Sequence, residues 1–230
     1  MANPSINLGN GNWSVKESKL LGSRPIKDKI APIEFDVTRA STATRVNKQG
    51  LIETVNSNIA RIDYSSDAKG ALLLEPQSTN LITYSQDFSD SSWNKINSSV
   101  VGGFTSPKGD LSAFKLVESI DNGNHILRKS GITTSGETTI SIYAKAEQRN
   151  KILLFNGSSG YGFDLLNGTT FALSVTTPNS FNITELTNGW FKCSITHSTT
   201  NRCSIYILDD FNSFSYAGNG VSGVYVFGAQ

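Results

Sequence analysis

The chain is poor in the features that mark nucleic-acid-binding, membrane or exported proteins. Charged residues make up 17% of its 230 residues and the formal net charge is +1, so it has no broad basic field. No apolar run reaches the ~18 residues that suggest a membrane span. The opening "MANPSINLGNGNW" lacks the basic and apolar regions of a secretory signal. We therefore expect no nucleic-acid partner, no membrane span and no export by a signal peptide.

Cysteine is also scarce. The segments around Cys193 and Cys203 predict two strands of a hairpin that turns at "STTN", with Cys193 opposite Tyr206 and Cys203 opposite Thr196. In that register the two sulfur atoms are separated along the strands, which is poor disulfide geometry. We expect two small buried thiols instead.

Helical periodicity is nearly absent, and only "SVKESKLLGS" (14–23) is expected to make a helical turn or two. Short runs rich in Val, Ile, Thr, Phe and Tyr take its place. In "TTISIYAKA", Ile140, Ile142 and Ala144 alternate with polar residues, which is typical of a half-buried strand. Asn-Gly pairs at 156–157, 167–168, 188–189 and 219–220 predict tight turns. This pattern favours an all-β fold, an antiparallel sandwich of the jelly-roll or Greek-key kind.

The first part of the chain has a different composition. Residues 1–34 contain little to bury and several prolines, so they are expected to form an extended arm that becomes ordered against a partner surface. Two β segments, 34–46 and 51–55, are expected next, joined by a turn at "NKQG". The runs "ARIDYSS" and "GALLLEP" predict a second hairpin.

Residues 35–95 carry a specific resemblance. The runs "TRASTATRVNKQGLIETVNSNIARIDY" and "GALLLEPQSTNLITYSQDFSDSSWNK" resemble a pattern in virion proteins of tailed bacteriophages, namely tail fibres, head fibres and related appendages. In those proteins a proline precedes the "RIDY" element, and here that residue is Ala60. The later "NGWFKCSIT" and "GVYVFGAQ" resemble the β-sandwich that follows, which is similar to carbohydrate-binding modules and concanavalin-like folds.

The resemblance implies three regions and a virion location. Residues 1–34 would dock the chain on the particle, residues 35–86 would link and oligomerise it, and residues 87–230 would form the sandwich. In similar proteins the chain continues past "GAQ", so the fold is expected to extend beyond residue 230. Appendages of this sort are usually trimeric, which implies a homotrimer bound to other virion proteins. It would be assembled in the host cytoplasm and exposed on the released particle.

Two non-enzymatic functions fit these observations. One is a fibre or appendage subunit whose sandwich binds a glycan on the host surface. The other is a structural adaptor or decoration protein that joins virion parts and contacts no receptor. A depolymerase ranks last, because the chain shows neither a groove signature nor a long β-helical repeat.

Aromatic residues among polar ones are the candidate sugar contacts, since a pyranose offers an apolar face and hydroxyl edges. The segment "DDFNSFSYAGNG" (209–220) is the strongest candidate. The predicted carbohydrate-binding residues are Tyr161, Asp209, Asp210, Phe211, Phe214 and Tyr216. The alternative is that these aromatics cap the sandwich core or meet a neighbouring subunit. Trp93 is interpreted as a packing residue.

Other chemistry has weaker support. The acid pairs Asp87/Asp90 and 209/210 are expected to be solvated loop residues, since sequence does not place them across a cleft. His197 is expected to be structural or solvated, and the sequence supports no Ser-His-Asp arrangement.

We expect no cofactor. If an ion binds, calcium is the candidate, in the polar loops that contain Asp110, Asp121, Asn122 and Asn124. Arg39, Arg45 and Arg61 flank β segments in the resembling run and are the candidate assembly residues, because interface arginines pair well with carboxylates. A solvated surface role is the alternative for each of them.

Overall fold

The computed structural model describes residues 5–6, 14–26, 29–75 and 78–230. It divides the chain into two compact units, Met1–Ser78 and Thr79–Gln230. The division therefore falls ahead of the expected boundary at 86/87, and the expected boundary at 34/35 lies inside a strand. Part of the expected docking arm (1–4, 7–13 and 27–28) lies outside the described residues. The docking and linking roles of residues 1–86 stay predictions.

The first unit consists of short antiparallel strands. They are β1 (Ser5–Ile6), β2 (Ser14–Lys16), β3 (Lys19–Ile26), β4 (Lys29–Asp36), β5 (Ala43–Val46), β6 (Ile52–Val55), β7 (Ile62–Asp63) and β8 (Ala71–Leu73). They form three small sheets, β2-β3-β4, β5-β6 and β1-β8-β7. A small apolar core around Leu20, Ala60 and Ile62 stabilises the unit.

The helical turn expected in residues 14–23 is wrong. The segment forms the β2–β3 hairpin, with Val15 opposite Leu20 and a turn at Ser18, whose φ is 60°. Leu20 is fully buried in the core of the unit, and this burial selects the strand over the helix.

The described part of the expected extended arm forms the paired strands β2, β3 and β4, and the single segment expected at 34–46 is divided between β4 and β5. The two predicted hairpins are confirmed. β5 and β6 form a hairpin, and Asn47 closes its "NKQG" turn by accepting hydrogen bonds from the backbone N–H groups of Gln49 and Leu51. Gly50 has a φ of 76°, a backbone conformation that glycine adopts without strain. β7 and β8 form the second predicted hairpin.

The second unit contains twelve strands and one 3₁₀ turn. The strands are β9 (Trp93–Ile96), β10 (Ser98–Phe104), β11 (Ala113–Glu118), β12 (Asn122–Gly123), β13 (His125–Lys145), β14 (Lys151–Phe155), β15 (Gly160–Asp164), β16 (Thr169–Phe171), β17 (Ser180–Glu185), β18 (Trp190–Leu208), β19 (Tyr216–Ala217) and β20 (Gly223–Phe227), and the 3₁₀ turn is Thr187–Gly189.

Two long strands, β13 and β18, organise this unit into two layers. The first half of β13 pairs with β9 and with the second half of β18, which continues to β14, β15 and β16. This is the first layer. The second half of β13 pairs with β20 and with the first half of β18, which continues to β17. With β11 and β10, these strands form the second layer.

The main core lies between the two layers, and side chains from both halves of β13 and β18 enter it. Ile140, Ile142 and Ala144 are all buried there, as the alternation of "TTISIYAKA" predicts. The predicted all-β, antiparallel sandwich is therefore confirmed. All four Asn-Gly pairs lie in turns between strands, and each glycine has a positive φ, as predicted.

The hairpin predicted at "STTN" is wrong. Residues 190–208 form one continuous strand of 19 residues, in which Thr199 pairs with Ser135 and Thr200 with Thr134. The β-branched threonines keep the chain extended, and the register with β13 shifts there as the strands pass between layers. Both cysteines lie in this strand, free and buried, which confirms the expectation of buried thiols. Burial raises the pKa of Cys203 to about 12.

The segment 79–93 lies in the same compact unit as the sandwich strands. Asn80 Nδ2 donates to the backbone oxygen of Ala229 at 3.1 Å, and the Ala229 N–H donates to the backbone oxygen of Ser85. These bonds join the segment that follows residue 78 to the end of the chain after β20. Among the described residues, no helix is long and apolar enough to cross a membrane.

Candidate functional site

The loop that follows β18 forms a closed turn. The Asp209 carboxylate accepts hydrogen bonds from the backbone N–H groups of Phe211 (2.9 Å) and Ser213 (2.7 Å). The Asp209 N–H donates to the backbone oxygen of Ser213. Outside the turn, Lys151 Nζ donates to the backbone oxygen of Asp210 at 2.9 Å. These bonds fix the backbone of residues 209–213.

Phe214 holds the next part of the loop against the outer face of the first layer. Its ring meets Tyr206 edge-on at 6.3 Å between centroids, within an apolar cluster that includes Leu153 and Leu208. Phe214 is therefore half-buried, and its ring has a packing role that the sequence alone does not reveal.

Tyr216 belongs to a buried ionic network. Its hydroxyl donates to Glu118 at 2.8 Å, and its ring lies between His125 (4.6 Å between centroids) and the Arg149 guanidinium (5.1 Å to the ring centroid). Burial, followed by the hydrogen bond to Glu118, raises the pKa of Tyr216. Because the Tyr216 hydroxyl is hydrogen-bonded to Glu118 of the same chain, Tyr216 holds the loop in place.

Glu118 is the centre of that network. Its fully buried carboxylate accepts two hydrogen bonds from Arg149, from Nε at 2.8 Å and from Nη2 at 2.9 Å, and a third from the Asn219 N–H at 3.0 Å. Burial acts to raise the pKa of Glu118, but the bonds from Arg149, Tyr216 and Asn219 outweigh it and hold the pKa below its usual value. The Glu118–Arg149 pair was not predicted from the sequence. A single acid directly after the apolar residues Leu116 and Val117 is a signal that could have indicated a buried carboxylate.

Phe211 has a different environment from the other aromatics of the loop. Its side chain is 91% exposed, although the backbone on both sides of it is fixed. The two neighbouring acids differ in exposure, since Asp209 is partly buried and Asp210 is exposed. The loop therefore presents one aromatic ring to solvent, with carboxylates beside it.

Tyr161 does not join this loop. It lies on β15, where it pairs with Leu154 on the inner face of the first layer, and its ring stacks on Phe181 of β17 at 3.6 Å. The loop instead follows Leu208, which pairs with Lys151 at the other end of β14. The stack joins the two layers at one side of the sandwich. Of the six predicted sugar contacts, five share the loop and Tyr161 lies elsewhere.

The three predicted assembly arginines have partners within the chain. Arg39 donates to the backbone oxygens of residues 41, 55, 56 and 59. Arg45 pairs with Glu53 across the β5–β6 hairpin at 2.6 Å, and Arg61 pairs with Glu75 at 2.5 Å. These bonds stabilise the first unit, and a role in oligomers stays a prediction.

The other acids considered as catalytic or calcium-binding candidates accept hydrogen bonds from nearby serines in local turns. Asp87 and Asp90 accept hydrogen bonds from the N–H groups of Ser89 and Ser92, respectively. Among the candidate calcium ligands, Asp110 accepts from Ser106 and Ser112, and Asp121 accepts from Ser119. The described part of the chain contains no group of three or more His, Cys, Asp or Glu that could hold a metal ion.

His197 is buried at the point where the long strands pass between layers. Its Nδ1 lies 2.9 Å from Ser159 Oγ, while Nε2 has no hydrogen-bond partner among the described residues. Burial lowers the pKa of His197 to about 4, so the ring is neutral near pH 7. The expectation of a structural residue fits this position.

The buried His197 predicts a loss of stability in mild acid. In the unfolded chain its pKa is near the ordinary 6.5, so the unfolded state takes up a proton between about pH 6.5 and 4 while the folded state does not. Above pH 6.5, His197 is neutral in both states and does not reduce the free energy of unfolding. Below pH 6.5, protonation of the unfolded state lowers the free energy of unfolding as the pH falls. We expect a slope in the free energy of unfolding of up to about 1.4 kcal/mol per pH unit in that window.

Urea unfolding between pH 4.5 and 7.5 measures this slope, with His197→Gln as the comparison. The variant should lose most of the slope, because glutamine does not titrate. An unchanged slope would show that other groups cause the acid sensitivity. Such groups include Glu118 and Asp164, whose hydrogen bonds in the folded state hold the pKa of each carboxylate below its usual value.

Comparison with known proteins gives a distant likeness to solved structures alone. No protein-family model matches the chain, and no curated protein matches it. Among solved structures, the chain is similar to one from work on the structural basis of promiscuous specificity in carbohydrate-binding modules of the β-sandwich superfamily. The match has 10% sequence identity, covers 100% of this chain and 98% of that one, and has a TM-score of 0.37. A TM-score this low does not establish a common fold, so the description of the sandwich rests on its own strand pairing.

Proposed function

We propose that the protein is a non-enzymatic subunit of a tailed-bacteriophage virion appendage, and that its β-sandwich binds glycans on the host surface. The resemblance of residues 35–95 to appendage proteins supports the virion context. The first unit would attach the chain to other virion proteins. In a homotrimer, several weak sugar sites would act together through their effective concentration.

The exposure of Phe211 on a fixed turn is the observation that carries the glycan-binding part of this proposal. A ring that is 91% exposed contributes almost nothing to the core. Its backbone is nevertheless held by Asp209 and, through Asp210, by Lys151, so little ordering entropy would be lost when a ligand binds. An aromatic ring that is presented rigidly suits the apolar face of a pyranose.

The two acids beside the ring supply the polar part of such a site. The Asp210 side chain is exposed and forms no ion pair with any of the described residues. Its carboxylate oxygens can accept hydrogen bonds from sugar hydroxyls at the edge of the ring. Because the Asp209 carboxylate closes the turn, its substitution would alter the loop itself.

A glycan array with the full-length chain tests the proposal, with the oligomer mass measured alongside. We expect binding to one class of sugar and a loss of at least about tenfold in affinity for Phe211→Ala, since the ring would no longer be covered by the sugar. Phe211→Trp should retain binding, because it keeps an aromatic face. Leu166→Ala is the matched control, since Leu166 is also apolar and exposed (68%) but has no ring.

Phe211 is a better probe than Tyr216 or Phe214, because the latter two hold the loop in place. Loss of binding in their variants would not separate contact from folding. If the wild-type chain, with the expected mass of a trimer, binds no glycan, the structural adaptor function replaces adhesion. Equal loss in Phe211→Ala and Leu166→Ala would refute the specific role of the ring.

A further inference from the structure

A row of side chains crosses the outer face of the first layer at some distance from the exposed loop. In register, Phe155 of β14 lies opposite Ser204 of β18, Ser204 opposite Arg128 of β13, and Arg128 opposite Asn94 of β9. Side chains in register on adjacent antiparallel strands point to the same face. Because Ser204 is small and fully buried, the surface has a shallow depression at Ser204, between the side chains of Phe155 and Arg128.

A second arginine lies in the next row of the same face. Arg202 pairs with Ser130, two residues from Arg128 along β13. The side chain of Arg202 lies over Gly157, where an added Cβ would be 2.7 Å from Arg202 Nε. An added Cβ would lie even closer to Asn201 Oδ1, so glycine keeps space for Asn201 and Arg202 together, and the two arginines occupy neighbouring rows.

Neither arginine is paired with a carboxylate in the part of the chain that the structure describes. Arg128 Nε donates to Ser204 Oγ at 3.3 Å, and Arg202 Nε donates to Asn201 Oδ1 at 3.0 Å, so each side chain is oriented through its Nε. Among the described residues, no carboxylate lies within ion-pair distance of either guanidinium, and only the Nε atoms of the two side chains donate hydrogen bonds. A guanidinium with free terminal nitrogens matches the two oxygens of a carboxylate.

An aromatic line connects this pair with the loop. The rings of Phe155 and Tyr206 are 6.1 Å apart, and those of Tyr206 and Phe214 are 6.3 Å apart. Phe155 and Phe214 are both partly exposed. An extended saccharide that contacts the loop would therefore meet partly exposed rings on its way to the arginines.

We propose that Arg128 and Arg202 bind the carboxylate of an acidic sugar residue, with Phe155 against the apolar face of the sugar. Asn94 and Ser130, both exposed, lie at the same rows and can contact its hydroxyls. This inference rests on the proposed glycan-binding function and specifies its substrate class as a carboxylate-bearing saccharide.

Binding to four polymers by the full-length chain at ~0.15 M salt tests the inference. Polygalacturonate and polysialic acid are the two acidic saccharides and distinguish a uronic acid from a sialic acid. Methyl-esterified polygalacturonate keeps the sugar and removes the charge. Poly-L-glutamate keeps the carboxylates and removes the sugar.

We expect the wild-type chain to bind one acidic saccharide at least about tenfold more tightly than the methyl ester or poly-L-glutamate. The double variant Arg128→Gln/Arg202→Gln should lose at least about tenfold for that saccharide. Lys69→Gln/Lys192→Gln removes the same charge elsewhere and should remain within about twofold of wild type. Urea unfolding of both double variants checks that the fold is retained.

The other outcomes separate this inference from the proposed function. Equal binding of poly-L-glutamate, or equal losses in both double variants, would indicate a general charge effect and overturn the site. If glycan binding is lost in Phe211→Ala but kept in the arginine double variant, the acidic-sugar site is wrong and the proposed function stands. If no glycan binds on any surface, both are wrong.

Discussion

Arg149→Ala is expected to lower the free energy of unfolding by about 3–5 kcal/mol. The substitution leaves the Glu118 carboxylate, whose side chain is fully buried, without the two charged hydrogen bonds that compensate its burial. The Tyr216 hydroxyl and the Asn219 N–H would remain as donors, and neither carries a positive charge. Urea unfolding followed by circular dichroism measures the change.

Two further variants separate the buried pair from ordinary surface charge. Lys108→Ala removes a partly exposed cation 3.9 Å from Asp110, and it should cost less than about 1 kcal/mol. The double variant Glu118→Gln/Arg149→Met removes both charges, and it should recover part of the loss, since an apolar replacement of a buried pair is often tolerated. A loss in Arg149→Ala no larger than that in Lys108→Ala would contradict this account of the network.

Trp93→Ala should destabilise the sandwich by about 3–5 kcal/mol. Trp93 is 1% exposed, and its ring meets Phe88 edge-on at 4.9 Å. Its Nε1–H donates to the backbone oxygen of Tyr84 at 3.0 Å, which fixes the segment before β9. The substitution removes a large apolar surface from the core and leaves a cavity, and the same unfolding experiment measures the loss.

Trp93→Phe retains part of the ring and removes the hydrogen bond, so its loss should be smaller than that of the alanine variant. Leu81→Ala lies in the same segment at a side chain that is 54% exposed, and it should stay within about 0.5 kcal/mol of wild type. If Trp93→Ala is no more destabilising than Leu81→Ala, the segment 79–93 does not belong to the core of the sandwich.

The strand pattern of the sandwich could be predicted from sequence because its signals are local. The alternation of Ile140, Ile142 and Ala144 and the Asn-Gly pairs depend only on neighbouring residues, and both gave correct results. The "STTN" segment gave a wrong hairpin because the two halves of β18 serve different layers. The polar residues between them look like a turn, and only their pairing with β13 keeps them extended.

The candidate site could be predicted only in part. Sequence composition identified the loop at 209–216, but the roles of its aromatics depend on distant residues. Tyr216 contacts Glu118, 98 positions away, and Tyr161 stacks on Phe181 across the two layers. Phe211 was one of six candidates, and the structure shows that it is the only one of the four aromatic candidates that is almost fully exposed. The arginine pair on β13 and β18 depends on strand register, which no local pattern contains.

The most direct measurement is a map of amide chemical-shift changes in the deuterated, ¹⁵N-labelled chain on addition of the strongest glycan from the array. If the account is correct, the largest changes fall on residues 209–216 and disappear in Phe211→Ala, while the amides of the first unit stay unchanged. Changes that avoid this loop, or that persist in Phe211→Ala, would contradict the claim that the exposed ring on the fixed turn binds the sugar.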